Sequence, residues 1–216
     1  GSYFLNSFPS IVAAGKNATI LHYMKNNAPF KSGDMILLDF GARWQNMCAD
    51  VSRTVPVNGR FSPLQKLLYG IVLEAQKAVE SAAKPGTTIA HLNQVCWDYI
   101  NQELQEKIIA KGGKVRLDYK VRPHNVSHLM GVQVHEGDPF RHYRNHKLKA
   151  DWMISNEPGL YGHFSLTIDG ELHEQTIGIR IEDNLIITKD GCRNLSLGCP
   201  KEIKALEQLI QPSTRT

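Results

Sequence analysis

The sequence predicts an α+β fold in which helices cover a sheet, and three observations predict it. An apolar run, Met35-Ile36-Leu37-Leu38, ends at Asp39 and is followed by a turn and a second, less regular run that ends at Asp50, which reads as a hairpin. Residues 62–82 and about 88–111 carry apolar side chains at helical spacing. Beyond residue 115 the texture changes to short β segments, with Asp169-Gly170 as a two-residue hairpin turn between 165–168 and 171–173.

The totals fit one domain. At 216 residues with 42% hydrophobic side chains, the chain can bury a sizeable core. The net charge of +4 is spread without a basic block and no aromatics are interleaved with it, which argues against nucleic acid as a partner. No apolar run reaches the length of a membrane span, and no signal peptide is visible at the start. The four cysteines form no CxxC pair, which fits a reducing, cytoplasmic setting. Gly1-Ser2 reads as a cloning remnant and carries no weight in the fold.

In chain order, residues 18–23 read as a short strand carrying His22, and 26–29 and 31–34 as turns. If the hairpin reverses at Trp44-Gln45, residue 43 faces 46, 41 faces 48 and Asp39 faces Asp50, with Cβ atoms roughly 5 Å apart. Carboxylates that close repel unless one is protonated or a cation lies between them. Two readings stand at this point: a divalent metal site, or two Asp at strand ends facing water. Residues 51–57 continue as a strand to Asn58-Gly59. Ser62, Pro63 and Gln65 form a capping box with proline in the first turn, opening a helix whose stripe runs Leu64, Leu67, Leu68, Ile71, Val72, Ala75, Ala78, Val79 and Ala82. The second helix carries Ile89, Leu92, Cys96, Tyr99 and Ile100 on one face, and stops at Gly112-Gly113. Both helices read as cover for the sheet, without chemistry. Residues 177–187 alternate and then turn wholly apolar, and a last helix spans about 200–210.

Within the β segments, His128, Glu157 and Glu182 join the two Asp. Glu is rare inside such strands unless paired or ligating a cation. Asp39, Asp50, His128, Glu157 and Glu182 together make an oxygen-rich set with one nitrogen, suited to manganese, iron(II), cobalt or zinc. Four carboxylates are too much negative charge for one ion, and two ions sharing them would restore balance. Arg180, two residues before Glu182, is either a partner of an acidic ligand or an ordinary exposed strand arginine.

Six segments carry a resemblance: Ile20-Leu21-His22-Tyr23; Leu38-Asp39-Phe40-Gly41; Ala49-Asp50-Val51-Ser52-Arg53-Thr54; His124-Asn125-Val126-Ser127-His128 with His135 seven residues on; Asn156-Glu157-Pro158-Gly159-Leu160-Tyr161; and Gly178-Ile179-Arg180-Ile181-Glu182-Asp183. In this order, and with the eleven-residue step between the two Asp, they resemble the aminopeptidase P and prolidase branch of the pita-bread metallopeptidases, which also contain methionine aminopeptidase. The intervals from His128 to Glu157 and on to Glu182 are more similar to aminopeptidase P than to prolidase.

The resemblance implies the pita-bread fold, a curved, mostly antiparallel sheet covered by helices, and two divalent ions, manganese(II) foremost, with cobalt, zinc or iron(II) as alternatives. It implies that Asp39 ligates one ion, Asp50 and Glu182 bridge both, and His128 and Glu157 ligate the other. His22, His124 and His135 would line the substrate pocket, and a hydroxide bridging the ions would attack the scissile carbonyl and pass its proton to Glu157. The implied substrates are peptides with proline at the second position, cut at the N-terminal Xaa-Pro bond, by a homo-oligomer when full length. Prolidase activity on dipeptides and a catalytically inactive binding module are the alternatives. Domains of this family also carry two helices upstream of the His22 segment, so residues 1–216 are expected to be an N-terminally truncated catalytic domain with apolar surface exposed where those helices would lie.

Overall fold

The computed structural model describes residues 5–210. The strands are β1 (Leu5–Asn6), β2 (Ile11–Ala14), β3 (Met35–Phe40), β4 (Ala42–Trp44), β5 (Met47–Cys48), β6 (Val51–Pro56), β7 (Lys114–Leu117), β8 (Leu129–Met130), β9 (Met153–Asn156), β10 (Gly159–Ile168), β11 (Glu171–Arg180), β12 (Asp183–Ile187) and β13 (Cys192–Asn194). The helices are α1 (Pro63–Ala82), α2 (Ile89–Lys107) and α3 (Ile203–Ile210). Strand orders are β1-β4-β5, β2-β3-β6, β11-β10-β7 and β13-β12-β9-β8, and every pairing among the described residues is antiparallel. This is the expected α+β architecture.

The capping box forms as the sequence predicts: Gln65 N donates to Ser62 Oγ at 3.2 Å and Ser62 N to Gln65 Oε1 at 2.9 Å. Thr88 caps α2 through His91 N. The apolar stripes of both helices pack on the long β10–β11 hairpin, where Leu68, Ile71, Val72, Leu92 and Ile100 share a core with Phe164, Ile177 and Ile179. That hairpin turns at Asp169-Gly170, both with positive φ, which the two-residue turn requires. Helix α1 also buries Gln76 completely, which the apolar pattern did not anticipate.

Four sequence-based expectations are corrected. The acidic hairpin turns at Gln45-Asn46, whose φ values of 46° and 65° are those of a tight hairpin turn. Arg43 therefore faces Cys48, and Asp39 faces Ser52 rather than Asp50. Asp50 lies two residues before Ser52, so the two Asp remain on one face but diagonally related. Residues 18–23 are not a strand: Gly15 at φ 57° ends β2, and Gly15–Thr19 forms a 3-10 turn whose Ala18 carbonyl sits where a Cβ on Gly178 would be. Residues 177–187 are not one strand, because the chain leaves β10 after Arg180 and takes β9 as its partner from Asp183. Between them Glu182 N donates to Ser52 O at 3.0 Å. The last helix starts at Ile203 rather than near residue 200, because the Cys199 and Pro200 carbonyls accept hydrogen bonds from Arg53.

Large apolar side chains are exposed along the first part of the chain, among them Leu5, Ile20, Met24, Phe30, Phe40, Trp44 and Met47. No helix among the described residues is long and apolar enough to cross a membrane, and all four cysteines are unpaired.

Candidate metal centre

The strand ends converge. Asp39 lies near the end of β3, Asp50 just before β6, His128 just before β8, Glu157 just after β9, and Glu182 at the break between β11 and β12. Ligand atoms of Asp50, His128 and Glu182 all lie within 4.8 Å of one another, and all three residues are buried. His128 Nε2 is 3.6 Å from Asp50 Oδ2 and 3.4 Å from Glu157 Oε1. Asp39 Oδ2 lies 2.6 Å from Arg180 Nη2. All five predicted ligand residues line one cavity, and three of them, Asp50, His128 and Glu182, meet at ligand distance.

Hydrogen bonds hold His128, Asp39 and Glu182 each through one side-chain atom. His128 Nδ1 lies 3.1 Å from the Leu129 carbonyl, which accepts only, so Nδ1 carries the proton and Nε2 is presented to the acids. Arg180 holds Asp39 Oδ2, and Ser52 Oγ holds Glu182 Oε2 at 2.8 Å. Asp39 Oδ1, Asp50 Oδ1 and Glu182 Oε1 are buried without any hydrogen-bond partner. Three orphaned carboxylate oxygens from three strand ends are costly unless a cation completes them.

The proton affinities tell the same story. Burial, reinforced by Asp50, Glu157 and Asp39, raises Glu182 well above the usual carboxylate range. Burial pushes Glu157 up to about 7, against the lowering effect of His128 and Arg180. Burial also raises Asp39, with the Arg180 charge opposing it. Burial works to lower His128, but its hydrogen bond to Asp50 and the Glu157 charge outweigh this and leave it raised. Carboxyls crowded enough to retain protons are what a cation would relieve. The donor set, one imidazole among carboxylates, fits a hard or borderline divalent ion.

His22, His124 and His135 line the same cavity of about 1230 Å³ as the five ligand residues. Their surroundings differ. His124 has both ring nitrogens engaged, Nδ1 with the Asn125 carbonyl at 2.9 Å and Nε2 with Tyr161 Oη at 3.1 Å. Burial, then the Arg180 charge, drives its proton affinity down to about 3, so it is neutral near pH 7. His135 packs edge-on against His128, ring centres 4.5 Å apart, and burial, then the His128 charge, lowers it too. Arg180 is only 4% exposed, so the exposed-arginine alternative is overturned; it holds Asp39, Ser52 and Tyr161 together.

Three supports were not anticipated. Asn184 clamps the Asp50 backbone, accepting from its N–H at 3.1 Å and donating to its carbonyl. Gln76 Nε2 donates to the carbonyls of Asn156 and Ile181, the residues just before Glu157 and Glu182. Ser52 joins Glu182 to Arg180. A polar residue beside the apolar run Leu185-Ile186-Ile187 was a signal for Asn184; Gln76 and Ser52 carry no comparable mark.

Residues 2–189 match the model of metallopeptidase family M24. The chain belongs to this metallopeptidase family. It is 36% identical over 206 residues to Xaa-Pro aminopeptidase 3 of Rattus norvegicus, covering 94% of this chain and 40% of that protein. It is 36% identical over 211 residues to the Xaa-Pro aminopeptidase of Haemophilus influenzae, covering 94% and 48%. Among solved structures it is similar to aminopeptidase P from Escherichia coli with the inhibitor Pro-Leu, at TM-score 0.80 and 31% identity, covering 95% of this chain and 47% of that one. The chain therefore spans less than half the length of these relatives, and the fold is that of their pita-bread portion.

Proposed function

We propose that this chain carries the catalytic centre of a metal-dependent exopeptidase that hydrolyses the N-terminal Xaa-Pro bond of peptides. The observation that carries the proposal is the convergence of ligand atoms of Asp50, His128 and Glu182 within 4.8 Å of one another, together with buried, unpartnered oxygens on Asp39, Asp50 and Glu182. Asp39, Asp50, His128, Glu157 and Glu182 would hold two divalent ions, manganese(II) foremost, and bound there these would supply an activated bridging hydroxide and a Lewis acid for the carbonyl.

The chain's own groups do the rest. Glu157, beside His128 at the edge of the cluster, is the carboxylate assigned to take and return the proton. His135 has no hydrogen-bond partner among the described residues and lines the cavity, so its ring N–H is free to donate to a carbonyl oxygen as negative charge develops. His124, engaged at both nitrogens, instead braces Tyr161 and the pocket wall.

The test is a peptide assay on manganese-loaded protein with Xaa-Pro-Yaa and Xaa-Pro substrates, alongside Asp50→Ala. Release of the first residue from Xaa-Pro-Yaa, abolished in Asp50→Ala, is expected. Turnover of Xaa-Pro alone assigns prolidase activity instead. Unchanged turnover and metal content in Asp50→Ala overturns the two-ion reading.

A further inference from the structure

Ser52 lies on β6 with no exposed surface. Its Oγ donates to Glu182 Oε2 at 2.8 Å and accepts from Arg180 Nε at 2.9 Å. A guanidinium nitrogen can only donate and a hydroxyl has a single proton, so the Ser52 proton is directed to Glu182. That bond decides which Glu182 oxygen is tied back and which is left facing the cluster. Arg180, braced by the same hydroxyl, continues to Asp39 Oδ2 at 2.6 Å and makes the corresponding choice there. The two oxygens left over, Glu182 Oε1 and Asp39 Oδ1, are both buried without a partner. The Ser52 carbonyl adds a third tie by accepting from Glu182 N.

We propose that Ser52 is a positioning residue: its one hydroxyl aims the free oxygens of Glu182, directly, and Asp39, through Arg180, at a shared cation, and so sets metal affinity. The proposal rests on the metal-centre reading above and deepens it. Thr54 is the built-in comparison. It lies two residues on, on the same face of β6, and is equally buried, but its Oγ1 bonds only the backbone N and O of Arg180. A hydroxyl that merely stabilises the strand would behave like Thr54.

The experiment compares Ser52→Ala with Thr54→Val in the full chain. Manganese(II) is titrated calorimetrically into metal-stripped protein, and the thermal midpoint without metal is recorded. For Ser52→Ala, manganese affinity falls on the order of 10- to 100-fold, and excess manganese restores turnover with KM near wild type. For Thr54→Val, the midpoint falls but affinity stays close to wild type. Equal manganese affinity in Ser52→Ala and wild type, or an equal loss in both variants, overturns the role given to Ser52. If Ser52→Ala does not fold, Ser52→Cys, which keeps the side-chain volume and replaces the hydroxyl with a poor donor, carries the same expectation. Wild-type protein that takes up no manganese defeats the metal centre itself, and the Ser52 role with it.

Discussion

At the scale of single residues, the histidines part company. His128 has its Nδ1–H fixed on the Leu129 carbonyl and its Nε2 among carboxylates, the arrangement of a ligand. His135 lies against it with no hydrogen-bond partner among the described residues. His135→Ala is therefore expected to lower kcat by about 100-fold, the effect of losing one donor to a developing oxyanion, with bound metal unchanged. Kinetics and metal analysis on the same preparation check this, and stoichiometric metal loss would make His135 a ligand. The acidic candidates were only half legible from their chemistry: carboxylates at the ends of apolar runs are physically expensive, but two water-facing Asp stood as an alternative until the family resemblance supplied the set. Arg180 was left between two readings because a strand arginine carries no mark of its partner until the break at Glu182 is seen.

At the scale of elements, the sheet and helices were legible from periodicity and caps, and the errors lie where tertiary contact overrides local pattern. The hairpin register moved because the turn chose Gln45-Asn46, and the 177–187 strand broke because Glu182 bonds back to β6. Helix α1 seemed to be cover alone. Its Gln76 instead ties together the two segments that deliver Glu157 and Glu182, and also accepts from Lys201 Nζ at 2.7 Å. Gln76→Leu strands two buried carbonyls, while Lys201 Nζ keeps its Asp183 partner, at a cost of about 3 kcal/mol. Denaturant unfolding of the metal-free protein measures it. A loss below about 0.5 kcal/mol, the level of an ordinary surface substitution, would contradict this role.

At the scale of the whole molecule, metal binding and protonation compete for the same atoms. Glu157, Glu182 and Asp39 all hold protons above the ordinary carboxylate range when no cation is present. Their raised values make the metal-free fold less stable as pH climbs from the ordinary range through about 7, since the unfolded chain releases those protons first. His124, lowered to about 3, acts in the opposite sense below neutrality but holds no metal, so it cancels when loaded and stripped protein are compared. At a fixed manganese concentration, the rise in thermal midpoint on adding metal should therefore grow between about pH 5 and about pH 8. An increment independent of pH would show that the titrating carboxyls are not the ligands.

Five side chains from five strand ends are proposed to hold a pair of divalent ions. Anomalous scattering from crystals soaked in manganese(II) tests it most directly. Two peaks about 3.5 Å apart, within ligand distance of Asp39, Asp50, His128, Glu157 and Glu182, are predicted. Ions bound elsewhere, or no peak among these side chains at full soaking, would contradict it.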